Sequence, residues 1–264
     1  MQAFFPWFRQ LLQWLRSLAA LGLLCLVLGW SFPAQAASQI SPQLEEQVLQ
    51  IIREHPEVLI ESVQAYQQQQ QEKLQAARQA FLQKVQTNPQ ALIGESPTTG
   101  SAESKVVLFE FSDFECPYCA DAHKTLKKFM AKHQNEVMLV YKHFPLTPIH
   151  NQAMPAAKAA WAALQQGKFW EYHDALFTHQ KQLGEAFYVA TAKSLNLDLE
   201  KFERDAFGNA PGERTIANPA IQKDMQLAQE LGLSGTPFFV MNGETLSGAV
   251  KLSEMESALS RVIR

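Results

Sequence analysis

The residues best suited to chemistry in this sequence are Cys116 and Cys119, which flank Pro117 and Tyr118 in a C-P-Y-C motif. The one other cysteine of the chain is Cys25. A disulfide between two cysteines this near in sequence forms a loop that is too small to stabilise a fold. Such a pair can instead be oxidised and reduced, or can bind a soft metal. The spacing therefore indicates redox or metal chemistry.

The motif stands where a predicted strand gives way to a predicted helix. Residues 106–111 form an apolar run interrupted by Glu110, which is typical of a buried strand. Pro117 suits a first helical turn, because its missing N–H would have no partner there. Unpaired N–H groups and the positive end of the helix dipole then favour the thiolate of Cys116. We expect Cys116 to be the nucleophile and Cys119, one turn further in, to be the resolving thiol.

Two further residues near the motif could take part. Burial on a strand would raise the pKa of Glu110, which could then accept or relay the proton of the resolving thiol. The alternative is an acid that points to solvent at a strand edge. His123 follows Cys119 at i+4 and could orient or charge-stabilise the site, although a solvated helix face is the commoner explanation for such a histidine.

The segment Phe111 to Cys119 resembles the active-site segment of the DsbA-like thiol:disulfide oxidoreductases. The similarity spans about residues 106–264 and includes His143 to Pro145, Gly167 to Trp170, Phe177 and Gly235 to Phe239. It implies thiol–disulfide exchange without a cofactor, and family members often carry an acid at the position of Glu110. It also implies that Pro237 is cis and faces the cysteines, beside a Thr236 that touches the mixed disulfide. His143 falls in the shared segment, and we expect it to serve in packing around Pro145.

The order of predicted elements is strand, helix, strand, helical block, two strands and helix. This order predicts an α/β protein of thioredoxin-like fold over residues 105–264, with a helical insertion at about 149–231. The last two strands are expected to form a hairpin that turns at Asn242 and Gly243. Gly, Pro, Ser and Thr are frequent in residues 91–104, which predicts a linker there.

An N-terminal helical arm is predicted over residues 37–90, with a break at His55 and Pro56. Its second helix carries a narrow apolar stripe, composed of Leu59, Val63, Tyr66, Gln70, Leu74, Ala77, Phe81 and Val85. The stripe could pack back on the catalytic domain or pair with other copies of the chain, and we expect self-association. The arm is similar to the N-terminal region of the ScsC-like branch, whose stalk implies oligomers with isomerase or reductase character. A monomer would act more like a dithiol oxidase.

The first residues of the chain read as a targeting segment. Arg9 and Arg16 precede an apolar run over residues 18–30, and Ala34 to Ala36 has the small-x-small pattern of a cleavage site. A signal peptide over residues 1–36 predicts export to the periplasm or another extracytoplasmic compartment and removes Cys25. A permanent membrane anchor is the less favoured alternative, since the run is shorter than a bilayer span.

The net charge of the chain limits the kinds of partner that it can bind. The formal net charge is −3 and no Lys/Arg cluster stands out, which argues against a nucleic-acid partner. The predicted partners are unfolded or misfolded secreted proteins with thiols and a membrane redox protein. The alternative function is a periplasmic copper-binding protein that uses Cys116, Cys119 and His123, but the methionines are scattered and no third cysteine supports it.

Overall fold

The computed structural model describes residues 41–208 and 218–263. The predicted signal peptide and its cleavage site near Ala36 lie outside these residues. The chain divides into two compact units between Tyr66 and Gln67, within the predicted arm. In the part of the chain that the structure describes, no helix combines the length and the hydropathy that a membrane span requires.

The first unit is helical over its described residues. It holds α1 (Pro42–Glu54) and the start of α2 (Pro56–Thr87). The Ser41 hydroxyl accepts a hydrogen bond from the amide N–H of Leu44 at 3.2 Å and caps α1. Most of the large apolar side chains described in this unit are exposed; these are Leu44, Val48, Leu49, Ile51, Val58, Leu59, Ile60, Val63 and Tyr66, while Ile52 is half-buried.

The described part of the second unit is built on a five-stranded sheet of order β1-β3-β2-β4-β5. Its strands are β1 (Thr98–Gly100), β2 (Val106–Ser112), β3 (Val137–His143), β4 (Phe238–Met241) and β5 (Glu244–Ser247). Strands β2 and β3 run parallel and are joined by α4 (Pro117–His133), whereas the other neighbours are antiparallel. The β4–β5 hairpin turns at Asn242 and Gly243, as predicted, and both residues have the positive φ that such tight turns need.

The remaining helices surround this sheet. They are α3 (Pro89–Ile93), α5 (Ala153–Leu164), α6 (Phe169–Thr178), α7 (Glu185–Ser194), α8 (Leu199–Phe207), α9 (Pro219–Glu230) and α10 (Leu252–Val262), with a short 3₁₀ helix at Gln180–Gln182. Helices α5 to α9 lie between β3 and β4 in the chain, where the helical insertion was predicted. The α/β, thioredoxin-like fold class is confirmed.

The predicted linker is more structured than its composition indicates. Residues 91–104 contain the end of α3 and all of β1, which pairs with β3 at the sheet edge. Gly100 has a φ of 91°, and a Cβ there would clash with the carbonyl oxygen of Val137. A three-residue strand is too short to show an alternating pattern, so Gly and Pro dominate its sequence signal.

The two faces of β2 pack differently. Alternate residues of a strand point to opposite faces. Val107, Phe109 and Phe111 pack in one buried cluster with Phe81 and Val85 of α2. This end of the arm therefore packs on the domain, one of the two outcomes predicted for its stripe. The opposite face of β2 holds Leu108, Glu110 and Ser112 and is covered by α4.

Candidate active site

Cys116 occupies the N-cap position of α4, with Pro117 in the first helical turn. Its amide N–H donates to the carbonyl oxygen of Asp113 at 3.2 Å. Its own carbonyl oxygen accepts from the amides of Cys119 and Ala120 at 3.1 and 3.2 Å. Both cysteines are free thiols, with 4% of Cys116 and 0% of Cys119 exposed to solvent. The pair thus sits at a helix start, as the motif predicts.

The two thiols differ sharply in acidity. A hydrogen bond from the Cys119 thiol, helped by Thr236 and by the amides of Cys119 and Tyr118, lowers the pKa of Cys116 to about 6 against the opposing effect of burial. Burial and the adjacent Cys116 sulfur raise the pKa of Cys119 far above its ordinary value. At neutral pH Cys116 is therefore mostly thiolate and Cys119 is a thiol. A nucleophile beside a resolving thiol requires this asymmetry.

The loop before β4 brings Thr236, which precedes Pro237, to Cys116. The Thr236–Pro237 peptide bond is cis, as the resemblance implies. When protonated, the Cys116 thiol donates to the carbonyl oxygen of Thr236 at 3.4 Å. Residues far apart in the sequence therefore meet at the reactive sulfur.

Glu110 lies in the middle of β2, opposite Tyr141 of β3 and Phe239 of β4. It is completely buried, so an acid at an exposed strand edge is the wrong interpretation. Neither carboxyl oxygen has a hydrogen-bond partner among the described residues. Burial raises the pKa of Glu110 to about 7, while the nearby hydroxyl of Ser112 opposes this shift. A carboxyl group with this pKa can both bind and release a proton near neutral pH.

Tyr141 shows that the carboxyl group and the resolving thiol share one environment. Its pKa is raised by burial and further by the charges of Glu110 and Cys119. The hydroxyl of Ser112 acts in the opposite direction on the pKa values of Cys119, Glu110 and Tyr141. The sheet face under α4 therefore brings a proton-carrying acid close to the buried thiol.

The expectation of a solvated helix face at His123 is wrong, because α6 covers this side of α4. The ring of His123 stacks on Phe177, with centroids 5.1 Å apart, and its Nε2 lies 3.5 Å from an oxygen of Asp174. Burial lowers the pKa of His123 to about 4. Among the described residues, the group close enough to share a metal ion is His123, His173 and Asp174, and neither cysteine belongs to it. The arrangement does not favour copper binding by His123 together with the cysteines.

His143 is a buried packing residue at the end of β3. Its ring lies 5.1 Å from that of Tyr141 and 6.0 Å from that of Phe169, and neither ring nitrogen has a hydrogen-bond partner within the described ranges. Burial lowers its pKa to about 3. This environment agrees with a role in packing.

An ion pair beside the motif was missed in the sequence. The buried Asp113 carboxylate accepts from the amides of Glu115 and Leu146, both at 2.9 Å, and lies 2.7 Å from Nδ1 of His150. Although burial opposes it, the hydrogen bond to Asp113 and the charges of Asp113 and Cys116 raise the pKa of His150. Asp113 stands in the segment that carries the resemblance, but nothing local pairs it with His150.

Gln180 was missed as well. Its side-chain amide donates to the carbonyl oxygen of Phe114 at 2.7 Å and to that of Cys116 at 2.9 Å. The helical insertion thereby holds the backbone on both sides of Glu115. No local sequence signal marks this glutamine, since its partners lie in a distant segment of the chain.

Comparison with known proteins gives a consistent fold. A family model described as Thioredoxin matches residues 93–261. A crystal structure of a thioredoxin-like oxidoreductase from Silicibacter pomeroyi is 34% identical, covers 64% of this chain and 92% of that chain, and has a TM-score of 0.56. ScsC of Proteus mirabilis in a transitional conformation is 25% identical, covers 82% of this chain and 95% of that chain, and has a TM-score of 0.57.

A curated relative carries a different name. The Na(+)/H(+) antiporter NhaA 3 of Salinispora tropica is 37% identical over 160 residues, which are 61% of this chain and 24% of the antiporter. The chain thus spans about a quarter of the length of the curated relatives that it matches first. The match concerns a segment of those proteins and not their whole length.

Proposed function

Because the chain belongs to the thioredoxin family and is a thiol–disulfide oxidoreductase, we propose that it forms or reshuffles disulfide bonds in exported proteins through Cys116 and Cys119. The observation that carries the proposal is the pair of unequal thiols. A Cys116 thiol with a pKa of about 6 lies against the Thr236 carbonyl, while Cys119 is buried and stays protonated.

The exchange proceeds in two displacements. A thiolate of the client attacks Sγ of oxidised Cys116, the Cys116–Cys119 bond breaks, and Cys119 leaves as a thiolate. A second client thiolate then attacks the client sulfur of the mixed disulfide and releases Cys116 as a thiolate. The client has gained a disulfide and lost two electrons, which the enzyme now holds as two reduced sulfurs. The low pKa of Cys116 makes it a good leaving group in the second step.

The first displacement needs a proton at Cys119. A buried thiolate with a raised pKa is costly, so its formation has to be coupled to protonation. We assign this proton to Glu110, whose pKa of about 7 lets it hold a proton at neutral pH and take it back on reoxidation. Glu110 acts here as a proton carrier and does not touch the client.

In the reverse direction the reduced enzyme acts as an isomerase. The Cys116 thiolate attacks a wrong disulfide of the client, which releases one client thiolate that can attack elsewhere. Two apolar side chains around the motif are largely exposed, namely Tyr118 within it at 62% and Ile149, which precedes the His150 that pairs with Asp113, at 72%. They suit an unfolded or misfolded client, whose apolar segments are accessible.

Self-association through the first unit supports the isomerase direction. Its exposed apolar side chains, among them Leu59 and Val63, need a partner, and a second copy of the chain offers the same stripe. Light scattering on the chain without residues 1–36 should give an oligomer, and Leu59→Glu with Val63→Glu should give a monomer. A monomer before substitution would remove this argument for an isomerase. Any truncation should stop at Tyr66, because Phe81 and Val85 belong to the core.

The proposal of export rests on the sequence of residues 1–36, and either a membrane quinone-linked oxidase or a membrane reductase would fit as the redox partner. Cell fractionation tests the compartment, and alkylation of the thiols in intact cells tests the redox state of the pair. Mostly oxidised cysteines indicate an oxidase with an electron-accepting partner, and mostly reduced cysteines indicate an isomerase. Activity on reduced and on scrambled ribonuclease provides the matching assay in solution. Failure in both assays would contradict the proposed function.

A further inference from the structure

A second group of chemically capable side chains lies where α4 packs against α6. His123 comes from α4, one turn beyond Cys119, and His173 and Asp174 come from α6. The Oδ1 atom of Asp174 lies 3.5 Å from Nε2 of His123 and 3.4 Å from Nδ1 of His173. One ligand atom of each residue lies within 4.8 Å of the other two. Three donor atoms thus converge on one point.

These separations are close to those around a bound zinc ion. Tetrahedral zinc with bonds of about 2.0–2.2 Å to imidazole nitrogen and carboxylate oxygen places its ligand atoms roughly 3.3 Å apart. Two of the three edges in this group already have nearly that length. Two histidines with one carboxylate are also a donor set that zinc takes in proteins, with a fourth position left open.

We propose that His123, His173 and Asp174 bind a divalent transition-metal cation of the zinc type. The fourth coordination position faces a surface cavity of about 200 Å³, which leaves room for a water or a small anionic ligand. The cavity walls also include Leu126, Met130 and Trp170, so part of the lining is apolar. The site is separate from the sulfur chemistry and does not depend on the proposed function.

Aromatic packing holds the two imidazoles in place. His123 stacks on Phe177, and His173 stands edge-on to the same ring at 4.9 Å between centroids. Phe114 and Tyr141 pack edge-on against His173 from other sides. Nε2 of His173 is buried without a hydrogen-bond partner among the described residues. Rings fixed in this way lose little freedom when they bind a metal, and preorganised ligands bind more tightly.

Lys127 gives the proposal a distinctive signature. Its ammonium group lies 2.6 Å from Oδ2 of Asp174, the oxygen that the metal would not use. Two-thirds of this lysine side chain is exposed, so the ammonium group can move away. Its positive charge repels a divalent cation across a short distance. Removing the charge of Lys127 should therefore strengthen metal binding, whereas removing a ligand should weaken it.

Titration calorimetry with zinc chloride tests the site on the oxidised protein, where the Cys116–Cys119 disulfide prevents thiolate ligation. We expect one zinc ion per chain and a rise in melting temperature with zinc, since a ligand that binds the folded state stabilises it. His123→Gln, His173→Gln and Asp174→Asn should each weaken binding by about tenfold or more. Lys127→Gln should tighten it severalfold.

His133→Gln is the matched control, because His133 lies on the same helix and pairs with Glu256 at 2.8 Å. It should leave zinc binding unchanged. If His173→Gln fails to fold, Asp174→Asn still tests the site, since Asp174 is only partly buried and its replacement should be tolerated. The absence of saturable binding would overturn the proposal. The proposal would also be overturned if Asp174→Asn bound zinc as tightly as His133→Gln. Weaker zinc binding in Lys127→Gln would overturn it too.

Discussion

The two faces of β2 show how one strand serves both stability and chemistry. Phe109 and Phe111 on one face are fully buried in an apolar cluster that includes Phe81. On the other face Glu110 and Ser112 are equally buried, yet their side-chain oxygens have no hydrogen-bond partner among the described residues. Buried polar groups without partners destabilise a fold. The face toward α4 therefore carries a cost in stability that the apolar face offsets.

This difference distinguishes the face of β2 that lies under the helix of the cysteines. Unpartnered buried polar atoms in native proteins are uncommon and concentrate at functional sites. Tyr141 and His143 also contribute such atoms near Cys116 and Cys119, and His133, Trp161 and His173 contribute further ones among the described residues. The apolar face has none of these features and positions the site only by holding the sheet.

The largest expected effect is at the sulfur atoms themselves. Cys116→Ala should abolish disulfide exchange, because no nucleophile remains, while Cys119→Ala should accumulate mixed disulfides with clients, because the resolving thiol is missing. Non-reducing electrophoresis of cell extracts reads out the trapped species. Equal residual activity in both variants would defeat the assignment of roles.

Truncation on the apolar face should change stability and spare the chemistry. Phe109→Ala should reduce the free energy of unfolding by about 3–5 kcal/mol, since it empties a fully buried site. Urea unfolding measures this loss. In the fraction that stays folded, the pKa of Cys116 should remain near 6. A large change in that pKa would mean that the two faces are not independent.

Replacing Glu110 on the polar face should raise the stability of the fold, whereas Phe109→Ala lowers it. Burial raises its pKa from 4.5 to about 7, so the folded state binds the proton more tightly, and stability falls as pH rises from about 4.5 through 7. Glu110→Leu removes this loss and should be more stable than the parent at pH 8 by up to about 3 kcal/mol. The pH-dependent part of this gain should vanish near pH 4, where Glu110 is protonated in both the folded and the unfolded state. A variant that is less stable at pH 8 would contradict the buried-acid interpretation.

The same position should control the rate of exchange. Glu110→Gln keeps the shape of the side chain but cannot carry the proton of Cys119, so exchange should slow while Cys116 keeps its low pKa. Stopped-flow oxidation of a dithiol peptide at several pH values measures this rate. The parent should show a pH dependence near 7 that the variant lacks. An unchanged pH profile would exclude Glu110 as the proton carrier.

The smallest expected effect is at His150. Its charge, held by Asp113, favours the Cys116 thiolate, so His150→Gln should raise the pKa of Cys116 by less than about one unit. Titration of the thiolate by ultraviolet absorbance measures the shift. His179→Gln is the control, since His179 is exposed. A fall in the Cys116 pKa would mean that His150 acts in another way.

Local sequence predicted the motif and its setting because the interactions involved are local. The apolar run of β2, Pro117 at the start of α4, and the turn at Asn242 and Gly243 all depend on neighbouring residues. The cis bond before Pro237 was implied by the resemblance to a known family and not by the spacing of residues. The edge strand β1 was missed because three residues carry too little pattern.

Long-range contacts account for what the sequence did not reveal. His123 is buried because α6 packs on it, although its spacing from Cys119 is that of a solvated helix face. Asp113 meets His150, and Gln180 reaches Cys116, only when the loop after β3 and the helical insertion close over the motif.

The sequence by itself determined the reactive pair, the strand and helix that present it, and the α/β fold class, since residue chemistry and periodicity encode these directly. The tertiary structure decided how acidic each thiol is, whether Glu110 is buried, and which partners His123 and Asp113 have. Burial and hydrogen bonding set these properties, and both depend on segments that are distant in the chain.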